Sequence, residues 1–444
     1  MRGDGKRIFV LGLDGLGLTL MEKLLARKVM RSLEGLLGLG TLREMRSVLP
    51  TVSSVAWASY ATGVNPGKHG IFGFLERIPD PFQLYIPNGS HLRHETIFQF
   101  LGREGLRVAT IGVPMTYPPR PVNGIVVGCF LSPSLEKAVY PRRILPLVRK
   151  MGYMVDVQAS KAMEEPEGFL AQLSDSLDAR FRLCLHLLED EDWEFFQLHV
   201  METDRINHFF LAKWEDKEEP WAEMFIQWYR RLDSWIEVLV RKLIHGLENG
   251  TTELFILSDH GFCRVFGEVE LNFWLRKNGY LRLGGGSNLA SMERGTRAYS
   301  ITPGRIYLNL KGRETMGSVE EGKEYEELRS ELSERLLSIE DPRTGQAVVR
   351  RVYRKEEIYS GAFMDLAPDL IVEPVPGFDM KARTEAQSVV HEPMVTGMHT
   401  LDDAFLFLMP GELPQMKLEL TDVISGIARR LGLELRWKPD GRNW

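Results

Sequence analysis

Residues 251–262 read TTELFILSDHGF. An unbroken apolar run, Leu254–Leu257, ends at a serine and is followed at once by Asp259, His260 and Gly261. A run of strand length that is apolar on both faces suits a strand buried inside a parallel sheet. In open α/β sheets, ligands bind just beyond the carboxyl ends of such strands. Adjacent Asp and His side chains at that point can face different ions across an extended turn, and Gly261 frees the backbone beside them.

The same grammar recurs along the chain. Ile8–Leu13 is apolar and closes at Asp14-Gly15. Further strand candidates are Arg107–Val113, Ile125–Phe130, Phe195–Val200, Ile306–Leu308, Leu370–Val372 and Phe405–Leu408. Helical spacing marks Leu18–Arg27, Phe169–Leu188, Trp221–Leu247, Tyr325–Leu337 and Leu420–Leu431. Strands separated by helices predict an α/β fold with a largely parallel central sheet. Ile78–Arg93, Gly284–Arg297 and Glu373–Pro393 are polar and turn-rich, and are expected as loops or insertions. The stretch 279–359 is expected to form a smaller inserted cap or subdomain.

Composition narrows the function classes. The chain has 444 residues, 44% hydrophobic and 26% charged, enough to bury a large core. Length alone would suit two or three domains, or one large α/β domain with insertions. Lys and Arg number 55 against 61 Asp and Glu, a formal charge of −6. That balance argues against a partner held by bulk positive charge, such as a nucleic-acid polymer. Cys129, Cys184 and Cys263 are far apart and form no CxxC pair, so neither a disulfide framework nor a cysteine-rich zinc site is expected. Buried, reduced thiols and the absence of a signal-peptide pattern in MRGDGKRIFVLGLDG give a cytoplasmic expectation. No apolar run reaches the roughly 18 residues of a transmembrane helix.

Residues just after the apolar runs carry the chemistry. Asp14, Asp259 and His260 follow strands; Asp204 follows FFQLHVMET, with His208 four residues on; His399 precedes the strand around Phe405. Spacing of four puts Asp204 and His208 on one helical face. Each of these alone has an ordinary reading, as a cap, a turn residue or a satisfied histidine. Together, three Asp and three His near one sheet edge offer the oxygen and nitrogen donors that suit zinc or manganese. Ser53 follows Pro50 at the start of a short helix expected to about Thr62. Ser is a preferred helix N-cap, but free N–H groups there also hold phosphate, and a nearby metal activates a hydroxyl. Thr51 and Ser54 compete for the same role.

This constellation resembles the alkaline phosphatase superfamily. The likeness is nearest to its type I phosphodiesterase/nucleotide pyrophosphatase branch, and within it to predicted phosphohydrolases and phosphomutases of bacteria and archaea. The segments that carry it are VLGLDGLG, LPTVSSVAWASYATGVNPGKHGIFGF, GVPMTYPP, DWEFFQLHVMETDRINHFF, LFILSDHGF and GMHTLDDAFLFLMPG. Asp, nucleophile, Asp-x-x-x-His, Asp-His-Gly and a late Gly-x-His stand in order from position 14 to position 399. The resemblance therefore implies one catalytic domain over 1–444, a three-layer α/β sandwich with a smaller inserted cap.

It also implies the roles. Asp14, Asp259 and His260 would hold one divalent ion together with the Ser53 oxygen, and Asp204, His208 and His399 the other. Ser53 stands at the family's Thr or Ser nucleophile, counted back from Thr62-Gly63. The family's asparagine three residues after the nucleophile is Ala56 here, a departure that bears on the nucleotide-pyrophosphatase substrate class. The sulfatase motif Cys/Ser-x-Pro-x-Arg is absent: Ser53-Ser54-Val55-Ala56-Trp57 lacks its Pro and Arg. Asn65, Lys68 and His69 in NPGKHG are candidates for holding phosphate or supporting the ligands, with a plain turn as the alternative. Two 2+ ions against three Asp leave a local positive charge that draws phosphate to an acidic chain.

The expected activity is a metal-dependent phosphoric ester hydrolase, of phosphodiesterase/nucleotide pyrophosphatase type. It would use two divalent ions, zinc first with manganese as the alternative, and pass through a phosphoseryl intermediate on Ser53. Its partner is a small phosphorylated substrate. A phosphoryl transferase or mutase, which would pass the phosphoseryl group to a second hydroxyl, is the alternative. A non-catalytic binding protein fits the intact ligand set less well. Trp57, Tyr60, Phe72, Phe74 and Tyr117 are aromatic candidates for stacking on a substrate, or simply for the core.

Overall fold

The computed structural model describes residues 5–444, and it separates into two compact units. The first holds the chain up to Asn65, then Asn88–Phe262 and His399–Trp444. Its centre is a nine-stranded sheet. In spatial order the strands are Leu418–Glu419, Thr41–Arg46, Ala404–Met409, Thr252–Leu257, Arg7–Leu13, Phe195–Val200, Val108–Ile111, Gly124–Val127 and Val139–Tyr140. The five from Thr252–Leu257 to Gly124–Val127 run parallel. Ala404–Met409 is antiparallel to both of its neighbours, and Val139–Tyr140 is antiparallel to Gly124–Val127. The largely parallel sheet expected from the apolar runs is present.

The central strands are apolar on both faces because both faces are covered. In the first strand Phe9, Leu11 and Leu13 enter one core, and Ile8 and Val10 the other. The next strands divide in the same way: Leu254 and Ile256 against Phe255 and Leu257. Period-two side chains feeding two separate cores make the sheet the middle of three layers. The long helices Pro166–Asp190, Glu202–Glu215 and Trp221–Glu248 supply one outer layer, with Phe181, Phe210 and Leu232 fully buried there. Helices Ser53–Thr62, Ile97–Arg103 and Val423–Arg430 supply the other.

The second unit comprises Pro66–Pro87 and Cys263–Met398, and the 279–359 stretch lies inside it. A four-stranded antiparallel sheet orders Ala298–Ile301, Arg305–Leu308, Leu370–Pro374 and Val349–Arg354. The runs at Ile306–Leu308 and Leu370–Val372 are therefore strands of this sheet rather than of the central one. Helix Lys323–Leu337 buries Leu328, Leu332 and Leu336 in this unit's own core. Two segments expected as loops contain strands: a hairpin Glu76–Pro79/Phe82–Tyr85, and Phe378–Lys381 with Val390–His391 in a three-stranded sheet around Gly267–Glu270. These strands have two to four residues, too short for an alternating pattern to stand out among the surrounding turn residues.

Thr41–Arg46, TLREMR, had no apolar signature, and only Met45 is buried. Its place comes from backbone pairing with Ala404–Met409. Cys129 and Cys184 are buried as expected, whereas Cys263 is partly exposed. Among the described residues no helix is long and apolar enough to cross a membrane.

Candidate active site

Register sets the site. Leu13 pairs with Val200 and Gly12 with Leu257, so three parallel strands end at one level. The residues leaving that level are Asp14, the turn into helix Glu202–Glu215, and Asp259-His260. Asp14, Asp259 and His260 are wholly buried, and Asp204 nearly so. Asp204 lies in the first turn of its helix, where the helix dipole favours an anion, and His208 follows one turn later.

Gly15 makes the first turn possible. Its φ is +64°, and a Cβ there would stand 2.6 Å from Phe262 Cε2 and 3.1 Å from His260 Cε1. Its N–H donates to Asp259 Oδ1 at 3.1 Å, joining the first two ligand-bearing turns. Two side chains from the Asp204 helix clamp the same turn. Thr203 Oγ1 donates to the Asp14 carbonyl at 2.6 Å, and Asn207 Nδ2 to the Gly15 carbonyl at 3.2 Å. Tyr229 OH in turn donates to Asn207 Oδ1 at 2.8 Å.

Ser53 is the first residue of its helix, and Val52 is the N-cap, with no side-chain capping bond. The capping reading of Ser53 therefore does not apply. Ser53 Oγ instead donates to Asp14 Oδ1 at 3.0 Å and stands 3.3 Å from His260 Nε2. The competing hydroxyls point elsewhere: Thr51 Oγ1 donates to the Val48 carbonyl at 3.0 Å, and Ser54 Oγ is buried without a hydrogen-bond partner.

The histidines are pre-set as donors to a cation. His260 Nδ1 lies 3.1 Å from the Gly261 carbonyl, and His399 Nδ1 2.9 Å from the Thr51 carbonyl. An N–H directed at a carbonyl leaves the other ring nitrogen as the available ligand atom. His260 Nε2 meets Asp259 Oδ2 at 3.3 Å and Asp14 Oδ1 at 3.5 Å. His399 Nε2 meets Asp204 Oδ1 at 3.0 Å and His208 Nε2 at 3.1 Å, and His208 Nε2 lies 3.4 Å from the same Asp204 oxygen. The His260 and His399 rings stack with centroids 3.8 Å apart. Phe262 lies edge-on to His208 at 4.8 Å and to His399 at 5.1 Å, and walls the cluster with an apolar ring.

Electrostatics fits the same donor set. Burial, and next the Asp14 carboxylate, push the Asp259 carboxyl well above its usual range. Burial and the neighbouring His399 push His260 down to about 3, so its ring is neutral at ordinary pH. Burial would raise Asp204, but His208 and His399 hold it well below the carboxylate range. Asp259 Oδ2 is buried without a hydrogen-bond partner. Such crowding of buried carboxylates against ring nitrogens fits divalent cations. One donor atom each from Asp14, Asp259 and His260 lies within 4.8 Å of the others, and likewise from Asp204, His260 and His399. His260 thus belongs to both groups, and His208 joins the second through the contacts above.

The remaining candidates divide between the two units. Asn65 donates through its backbone N and its Nδ2 to Asp440 Oδ2, both at 2.7 Å. Lys68 and His69 belong to the second unit, on helix Pro66–His69, where Ile71 N donates to His69 Nδ1 at 3.2 Å. Trp57 and Tyr60 are core residues, fully buried. Trp57 also has a polar task, donating from Nε1 to Asp14 Oδ2 at 3.0 Å. His199, which sequence reasoning missed, sits 2.9 Å from the same oxygen through Nε2. A histidine in a strand that is otherwise apolar was its one signal. Thr203, Asn207 and Phe262 had no signal beyond adjacency to ligands.

The family model for type I phosphodiesterase/nucleotide pyrophosphatase matches residues 8–402. Among solved structures, the chain is similar to phosphonoacetate hydrolase from Sinorhizobium meliloti in complex with phosphonoformate. The TM-score is 0.65 at 18% identity, covering 94% of both chains. It is also similar to murine ectonucleotide pyrophosphatase/phosphodiesterase 5, with a TM-score of 0.59 at 14% identity over 98% of both chains. The human form gives a TM-score of 0.59 at 14% identity, covering 98% of this chain and 97% of that one. No curated protein matches.

Proposed function

Because the chain belongs to the type I phosphodiesterase/nucleotide pyrophosphatase family of phosphoric ester hydrolases, we propose that it cleaves small phosphate esters through a phosphoseryl intermediate on Ser53. The observation that carries this reading is the position of Ser53 Oγ, 3.0 Å from Asp14 Oδ1 and 3.3 Å from His260 Nε2. A serine there shares its surroundings with the ligand groups and has no structural capping task.

Two divalent cations are assigned to the donor groups, zinc first and manganese as the alternative. Asp14, Asp259 and His260 would hold one; Asp204, His208 and His399 would hold the other. When bound, such ions neutralise phosphoryl oxygens and lower the pKa of a neighbouring hydroxyl. The chain's own residues do the rest. Asp14 aligns the Ser53 hydroxyl through Oδ1 and is itself fixed through Oδ2. Ser53 Oγ attacks phosphorus in line, and the bond to the leaving oxygen breaks. Water then attacks the phosphoseryl ester and releases phosphate or a phosphomonoester, regenerating Ser53. Phe262 sets an apolar ring against His208 and His399, which strengthens charge interactions on that side of the centre.

The test is a screen of phosphomonoesters, diesters, dinucleotides and phosphonates, with Ser53→Ala as the blank. Hydrolysis in ¹⁸O-labelled water should place one label in the released phosphoryl group. Unlabelled product would show transfer to a second hydroxyl instead, and undiminished turnover in Ser53→Ala would remove the serine from the chemistry.

A further inference from the structure

The second unit contains another concentration of ligating side chains, none of them among the groups above. Strand Gly267–Glu270 is the middle of its three-stranded sheet. Glu268 and Glu270 are two residues apart and so share one face. Glu268 is directly opposite His391 on the antiparallel neighbour Val390–His391. One donor atom from each of Glu268, Glu270 and His391 lies within 4.8 Å of the others.

Two features separate this cluster from an ordinary acidic patch. Glu268 and Glu270 are 1% and 0% exposed, so their charges have little water to stabilise them. And their polar atoms are incompletely matched. Glu270 Oε2 accepts from the Arg383 backbone N at 2.8 Å, and Glu268 Oε1 from Met394 N at 3.2 Å. Glu268 Oε2 is buried without a hydrogen-bond partner. His391 Nδ1 lies 2.8 Å from the Glu392 carbonyl, which leaves Nε2 as the ligand atom, 3.0 Å from Glu270 Oε1.

The side-chain cation beside the pair is half exposed. Arg383 Nη1 is 3.3 Å from Glu270 Oε1 and Nη2 is 3.6 Å from Glu268 Oε2, Nη2 also donates to Met394 Sδ at 2.9 Å, and the side chain is 48% exposed. Lys381 Nζ, 4.0 Å from Glu268 Oε1, is engaged by Asp379 at 2.5 Å.

We infer that Glu268, Glu270 and His391 form a third divalent-cation site, with Arg383 as its displaceable counter-charge. Two carboxylates and one imidazole suit zinc or manganese. The bound ion takes Glu268 Oε2, Glu270 Oε1 and His391 Nε2, while Arg383 swings to solvent. It ties Gly267–Glu270 to Val390–His391, and it is independent of the active-site reading.

Crystals of the full chain soaked in Mn²⁺ or Zn²⁺ provide the test by anomalous scattering. A peak at ligating distance, about 2.1 Å, from these three donors is expected. His391→Ala changes a partly exposed side chain and should remove that peak alone; Glu270→Gln should do the same. Arg383→Ala removes the competing cation and should tighten the site about ten-fold, whereas a purely structural ion-pair network would only lose stability. No peak here in wild type and Arg383→Ala, at saturating metal, overturns the proposal. The reading is separate from that of the active site, because each peak is scored at its own position.

Discussion

His199 places Nε2 2.9 Å from Oδ2 of Asp14, beneath the carboxylate whose other oxygen receives the Ser53 hydroxyl. Trp57 Nε1 donates to the same Oδ2 at 3.0 Å, and the two rings meet edge to face with centroids 4.8 Å apart. One oxygen of Asp14 is thereby committed to the protein and the other to the reacting side. Partners of this kind fix the direction of a metal-ligating carboxylate.

Replacing His199 by Ala or Trp57 by Phe should therefore lower kcat or metal affinity by about 10- to 100-fold. KM should move less than kcat. Steady-state kinetics with metal analysis of each variant checks this. Wild-type kcat and metal content in both would show that Asp14 needs no such support.

Ser53→Ala should reduce turnover by at least about a thousand-fold, as removal of an activated nucleophile does. Metal content should stay near that of the native chain. Ser54→Ala, one residue away, should leave turnover within a few-fold. Equal losses in the two variants would point to helix disruption instead of chemistry.

Removing metal with a chelator should abolish turnover, and Zn²⁺ or Mn²⁺ should restore it. Asp259→Asn should raise the concentration of metal needed for that recovery. Full turnover by a preparation shown to be metal-free would end the two-cation reading.

Gly15→Ala should cost about 1–2 kcal/mol for the left-handed backbone, before any clash with Phe262 is counted. Activity should fall further than stability, because the turn carries both Asp14 and the Asp259 contact. Thermal unfolding and kcat measured on one preparation separate the two effects.

Asp369 gives a pH signature in the second unit. It is fully buried; burial would raise its pKa, yet Arg313, Lys355 and the Leu308 N–H hold it far below the usual range. Arg313 Nη2 and Leu308 N both reach its Oδ2 at 2.7 Å. A depressed carboxylate pKa stabilises the fold above the unfolded value of about 3.9, and that contribution fades as pH falls through the folded value. Asp369→Asn should cost about 3 kcal/mol at pH 7. The gap in stability between variant and wild type should narrow below about pH 4. Denaturant titrations across that range check both the size and the sign.

The elements legible in the sequence share one property: their signal is local. Arg7–Leu13, Phe195–Val200 and Thr252–Leu257 were readable because strands covered on both faces must be apolar throughout. Helices Pro166–Asp190 and Trp221–Glu248 were readable from their long amphipathic period. Thr41–Arg46 was not, since its pairing lies in backbone hydrogen bonds that polar side chains do not reveal. The hairpin at Glu76–Tyr85 and the strand Val390–His391 failed for want of length.

The candidate site divides along the same line. Asp14, Asp204, His208, Asp259, His260 and His399 could be named from residue type, spacing and position beside strands, and Ser53 as one of three neighbouring hydroxyls that the family resemblance singled out. Each residue type carries its own chemistry, and the order of the motifs is written in the chain. What the fold alone decided is direction. Ser53 rather than Thr51 or Ser54 meets Asp14, His199 and Trp57 aim that carboxylate, and His260 lies between both ligand groups. Those facts depend on the register of parallel strands and on side chains that meet across 39 to 185 residues of chain. No local pattern encodes such meetings, because they arise only when distant segments pack against one another.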